Sequence, residues 1–95
     1  MTLKEIISEV YGVDITKKTR DRRFVEARQA FCYFCRNYTR KGVIEIGNEI
    51  GLKHSTVSYS TRHYYDILHY ADVKERYLQI IAKIEKYGLQ DKEEK

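Results

Sequence analysis

Proline is absent from this 95-residue chain and glycine occurs only five times. Both residues break helix interiors, so their scarcity points to helices. No apolar run approaches the ~18 residues needed to cross a bilayer, and no membrane partner is expected. The opening Met1-Thr2-Leu3-Lys4-Glu5 carries charges where a signal peptide needs an uninterrupted apolar core, so a cytoplasmic location is expected. Cysteine is limited to Cys32 and Cys35. This C-x-x-C sits between aromatics inside a helical stretch, whereas a redox pair opens a helix after a strand. A zinc site would need further ligands nearby. Two reduced thiols are expected, with Cys35 in the core and no metal or cofactor. There is no glycine-rich phosphate loop, activated nucleophile or paired acid–base motif, so neither catalysis nor a small-molecule substrate is expected.

The length fits one small domain, which buries only about 60–65% of its unfolded surface. Apolar residues make up 42% and charged residues 34%, ordinary for a folded chain. The net charge of +4 is mild, but its distribution is uneven. Residues 1–15 sum to −2, residues 16–41 to +7, and residues 42–95 to −1. Nearly all the positive field therefore comes from one stretch. Clustered Lys and Arg suit a polyanion, because neutralising phosphates releases counterions. A solvated basic surface is the other reading of charge alone.

Hydrophobic periodicity predicts five helices. The first spans roughly 2–11, with Leu3, Ile6, Ile7 and Val10 on one face, a Thr2–Glu5 capping box and Gly12 as its stop. Residues 13–22 read as a loop, long for a helical domain. The second helix, roughly 23–38, carries a core stripe of Phe24, Ala27, Phe31, Phe34, Cys35 and Tyr38. Arg22, Gln29, Arg36 and Arg40 line the opposite side, and Tyr33 points outward. The third helix, 43–50, faces Val43, Ile46 and Ile50 inward. The fourth, 54–68, does so with Val57, Ser60, Thr61, Tyr64 and Leu68, leaving Tyr59 outward. The fifth begins with Asp72 as N-cap and Glu75 in capping-box position, buries Val73, Tyr77, Ile80, Ile81 and Ile84, and ends at Gly88. His63 and His69 are expected on the surface. Residues 1–88 form the domain, and 89–95 a charged, frayed tail.

The informative segment is Ile46-Gly47-Asn48-Glu49-Ile50-Gly51-Leu52-Lys53-His54-Ser55-Thr56-Val57. Gly47 stands where a second helix must approach closely, and Gly51 where the turn needs positive φ. Leu52 and Val57 are packing anchors. This is helix-turn-helix spacing, which sends the second helix into the major groove of DNA. Lys53, His54, Ser55, Thr56, Ser58, Tyr59 and Arg62 then occupy its N-terminal and outward part.

The strings Arg23-Phe24-Val25-Glu26-Ala27-Arg28-Gln29-Ala30, Tyr38-Thr39, Ile44-Glu45-Ile46-Gly47 and His54-Ser55-Thr56-Val57 resemble the C-terminal DNA-binding domain of the bacterial replication initiator DnaA. The resemblance extends over about residues 5–86. It implies an all-α, five-helix domain that binds double-stranded DNA, with a recognition helix in the major groove and one arginine of a basic loop in the minor groove. Arg20, Arg22 and Arg23 occupy that loop, Arg22 or Arg23 being nearest the family's position. Arg28, Gln29 and Arg36 match positions that contact DNA, mainly its backbone, and His54, Ser55 and Thr56 match the base-reading signature. Lys53 replaces the signature's aspartate, and the Ile46–His54 interval is shorter than usual by about one residue. The family's ATPase domain is missing, so a stand-alone relative acting at a replication origin or in transcription control is expected. A dimeric operator-binding regulator and a protein-interaction module without DNA binding are the rival readings. Oligomeric state stays open, a monomer being favoured.

Overall fold

Thr2 and Glu5 form the capping box: the Glu5 amide donates to the Thr2 hydroxyl (3.2 Å) and the Thr2 amide to the Glu5 carboxylate (2.9 Å). They start the first of five helices in a computed structural model, which describes residues 1–89. The helices are α1 (Leu3–Tyr11), α2 (Arg22–Tyr38), α3 (Val43–Ile50), α4 (His54–Ile67) and α5 (Ala71–Tyr87). The described residues contain no strand. The architecture is therefore the expected all-α one. Helix α2 is central and packs against α1, α3 and α4, while α5 lies on α1.

The buried face of each helix follows its apolar period. Leu3, Ile6 and Ile7 of α1 meet Ala27, Ala30, Phe31, Phe34 and Cys35 of α2 in one core with Ile46, Val57, Tyr64 and Ile80. Five expectations need correction. Tyr33 does not point outward: its ring lies 5.3 Å from both Phe34 and Tyr64 and 6.3 Å from Tyr77. Phe24 and Tyr38 pack only at the core's edge. Asp72 is not the cap of α5. The cap lies two residues earlier, at Tyr70, which makes no side-chain hydrogen bond, and Asp72 accepts from the Val73 amide instead. The 13–22 loop ends at Asp21, because Arg22 already belongs to α2, and Val13 and Ile15 are buried within it. Finally, Leu89 packs against the core and so does not belong to a tail. The rest of the expected tail, 90–95, lies outside the described residues.

A polar group sits inside this small core. Glu26 of α2 is only 6% exposed. It accepts from the Tyr11 hydroxyl of α1 and, through both oxygens, from Arg76 of α5 (3.1 and 3.2 Å). The guanidinium also lies 5.2 Å from the Tyr11 ring centroid. Burial, with Tyr64 and Glu26 close by, pushes the Tyr11 hydroxyl far above the usual phenol value, so it stays a donor. One carboxylate thus ties three helices together. The thiols are the bland case. Both cysteines are buried, and burial pushes Cys32 up to about 12, away from the reactive thiolate.

Replacing Arg76 with Met strands the Glu26 carboxylate. It should cost about 2–4 kcal/mol, below the full penalty for a broken buried pair because the guanidinium is partly solvated. Adding Glu26→Gln should recover part of the loss. Urea unfolding of the two variants checks this, and a single Arg76→Met variant as stable as wild type contradicts it.

Candidate nucleic-acid interface

Two glycines set the corner between α3 and α4. Gly51 ends α3 with φ +73°, a left-handed conformation that disfavours any side chain. Its amide and that of Leu52 both donate to the Gly47 carbonyl, the latter at 2.8 Å. Gly47 itself lies against the chain it turns. A Cβ there would overlap the Leu52 carbonyl oxygen and sit 3.3 Å from Val57 Cγ2. Val57 is fully buried, and Leu52 is partly buried beside it. Sequence spacing and geometry agree on the helix-turn-helix.

Helix α4 presents the polar face that this corner directs outward. Lys53, His54, Ser55, Thr56, Ser58, Tyr59 and Arg62 are all exposed. No acid occurs on α4 before Asp66. Lys53 is the N-cap and makes no capping bond. The start of α4 shares a cleft with Ile44 and Asn48 of α3. Those two were not singled out in the sequence, because outward positions on a core helix carry no pattern of their own. Tyr59 stacks on His63 (5.5 Å, 15° between planes). His63 is half-buried rather than on the surface, in a cleft with Arg22, Gln29 and Tyr70.

The α2 residues fall into two groups. Arg36 is exposed and lines a groove with Ser58, Arg62 and Tyr65 of α4. Gln29 is half-buried between α2 and α4, next to Thr56 and Tyr59, so it does not lie opposite the core. Arg22 and Arg23 are not in the loop but in the first turn of α2, because Asp21 accepts from the Arg23 amide (3.0 Å) and caps the helix. Arg20 remains in the loop and is exposed. Arg28 is half-buried and turned to the loop, donating to the Lys17 carbonyl (3.0 Å) and the Thr19 carbonyl (2.7 Å). Lys17 and Lys18, also missed as individual site residues, line a cleft of about 330 Å³ with Arg20, Arg28 and the Ile50–Leu52 turn. Their signal was the local charge density.

Three cations away from the start of α4 are paired. Lys41 bonds Glu49 (2.6 Å), Lys83 bonds Glu9 (2.8 Å), and Arg76 bonds Glu26. Among the described residues, the side chains of Arg20, Arg22, Arg23, Arg36, Lys53 and Arg62 have no such partner. The geometry gathers unneutralised charge along a helix that has no acid before Asp66.

A family model for the bacterial dnaA protein helix-turn-helix matches residues 2–63. The chain belongs to this family. The chromosomal replication initiator protein DnaA of Flavobacterium psychrophilum is 31% identical over 64 residues, 63% of this chain and 13% of the initiator. The chain thus spans a small part of that relative. No solved structure gives a significant match. The DnaA family match ends within α4. Helix α5 is joined to the family portion through Arg76 and Glu26.

Gly47→Ala should lower stability by about 1–3 kcal/mol, since backbone rather than a flexible side chain must yield. The disturbance should reach Val57 and His54 in amide chemical shifts. A variant with wild-type melting and unshifted α4 amides would contradict this packing.

Proposed function

We propose that the chain binds double-stranded DNA, with α4 in the major groove and the basic 16–23 segment along the backbone and minor groove. The observation that carries this reading is a line of cations without salt-bridge partners along α4: Arg20 by the turn into it, Lys53 and Arg62 on it, and Arg36 and Arg22 beside its middle and later part. Membership of a helix-turn-helix family supports it, because that motif places its second helix in the major groove. Short exposed side chains at Ser55, Thr56 and Ser58 permit close approach to base edges. His54 and Arg62 supply donors, and Tyr59 a hydroxyl. Arg22, Arg23, Arg36 and Gln29 flank the helix and suit phosphates, which position a protein without reading sequence. Origin or promoter DNA in the bacterial cytoplasm is the proposed target, and control by binding rather than catalysis the proposed role.

Two measurements test this. If about five to seven phosphates are neutralised, log affinity should fall against log salt with a slope of about −4.5 to −6. A slope near zero contradicts the reading. Selecting bound duplexes from a random pool then separates an initiator-type box from a palindrome, and absence of enrichment would favour a protein-interaction module.

Lys53 should set one base pair. A lysine only donates, so it suits the O6 and N7 acceptors of guanine, whereas an aspartate there accepts and suits the amino group of cytosine. Lys53→Asp should therefore switch preference at that pair, each wrong pair costing about 1–3 kcal/mol. It should also stabilise the free protein by about 0.5–2 kcal/mol, by capping α4 and placing a negative charge at its positive end. Duplexes varied at one position, with thermal melts in parallel, read both effects. A uniform loss of affinity without a switch would assign Lys53 to phosphate.

A further inference from the structure

We propose that Arg28 is a positioning residue for the basic loop, and that its charge is not a phosphate contact in its own right. The proposal rests on the DNA-binding reading above. The segment between α1 and α2 has no helix of its own from Asp14 to Arg20. It carries Lys17, Lys18 and Arg20, all exposed. Three like charges in four residues repel one another, so nothing in their side chains orders the loop.

What orders it is backbone. At the start, the Thr16 hydroxyl and amide both donate to Asp14 (2.6 and 3.0 Å), which holds that carboxyl below its usual range. Buried Ile15 anchors the same end. Beyond Thr16, the Lys17 amide donates to the Asp14 carbonyl (3.1 Å) and the Asp21 amide to the Thr19 hydroxyl (3.2 Å), while the Lys17 and Thr19 carbonyls both accept from the one Arg28 guanidinium (3.0 and 2.7 Å). Two separate N–H groups of a rigid planar fork span two carbonyls two residues apart. An ammonium is a single point on a flexible stem and does not reproduce that span. Arg28 also forms a wall of the cleft between the loop and the Ile50–Leu52 turn. One side chain therefore fixes the spacing between the loop cations and the start of α4. On a duplex, that spacing decides whether both elements reach neighbouring grooves together.

The role separates cleanly from that of a phosphate contact. Arg28→Lys keeps the charge but loses the fork; Arg28→Ala loses both. Two readouts are taken on each variant, with circular dichroism and melting to show that the helices remain. The first is tryptic cleavage of the native protein after Lys17, Lys18 and Arg20, which needs no DNA. The second is binding to duplexes with A/T-rich and G/C-rich flanks. We expect cleavage to rise about tenfold in both variants, as local opening becomes easier. We expect both to lose preference for A/T-rich flanks, since narrow A/T grooves are what attract inserted arginine. Wild-type cleavage and flank preference in Arg28→Lys would overturn the proposal, because charge alone would then suffice. Raised cleavage with the flank preference kept would overturn its link to DNA. If wild-type protein binds no duplex at all, the DNA-binding reading fails and the proposal with it, whereas unchanged cleavage removes the proposal alone.

Discussion

Gly47 has no Cβ, and the Leu52 carbonyl occupies the space one would fill. That contact brings the turn against the inner face of α3 and seats Val57 beneath it. The rest of the polar surface follows from it. Once Val57 is buried, the helical period leaves Lys53, His54, Ser55, Thr56 and Ser58 outside. A side chain at position 47 would lever α4 off α3, and because interiors are close-packed the shift would not be absorbed locally. The geometry of the candidate interface is thus set from inside, by an atom that is missing.

The second constraint is the buried Glu26. A core this small leaves little margin, and conformational entropy opposes folding across the whole chain. Placing a carboxylate in it is costly unless every oxygen is satisfied. Tyr11 and Arg76 satisfy it from two other helices, so the arrangement of α1, α2 and α5 is specified by direction as well as by apolar area. Tyr64 of α4 packs its ring beside Tyr33 and carries a buried hydroxyl with no hydrogen-bond partner. That hydroxyl lies near Tyr11 and helps raise its pKa, so the network reaches the inner face of α4 through proximity rather than through a bond.

Much of this was legible in the residues. The periods of α1, α3 and α4, the α1 capping box and the two glycines of the corner are local patterns, and local patterns survive into structure. What was missed is non-local. Glu26 reads as one more helical acid until Tyr11 and Arg76, 15 and 50 residues away in sequence, arrive beside it. Tyr33 lies at an outward position of α2 taken alone, and only the approach of α4 and Tyr77 buries it. Asp72 has the composition of a cap, but Tyr70 takes the place one turn-entry earlier and leaves Asp72 on the helix. The resemblance assigns Arg28 to the DNA backbone, and its bonds to the loop carbonyls were not legible because hydrogen bonds to a loop backbone leave no trace in composition.

Local stability is also distributed unevenly, and the pattern has a direction. Helix α1 is fully capped, α2 is capped by Asp21, and Arg76 and Lys83, remote from the start of α4, are paired. Helix α4 has no capping side chain, no acid in its first turn, and a lysine at the N-cap, where the helix dipole is positive. Beside it stand Arg22, Arg23 and Arg36 without counter-charges. Each feature costs the free protein something, and on α4 they coincide. A polyanion reverses the sign of all of them at once: it neutralises the cations and places negative charge at the positive end of α4. Features that are unfavourable singly in the free chain and favourable jointly against one class of partner are what a binding surface looks like when its stability is supplied from elsewhere in the fold.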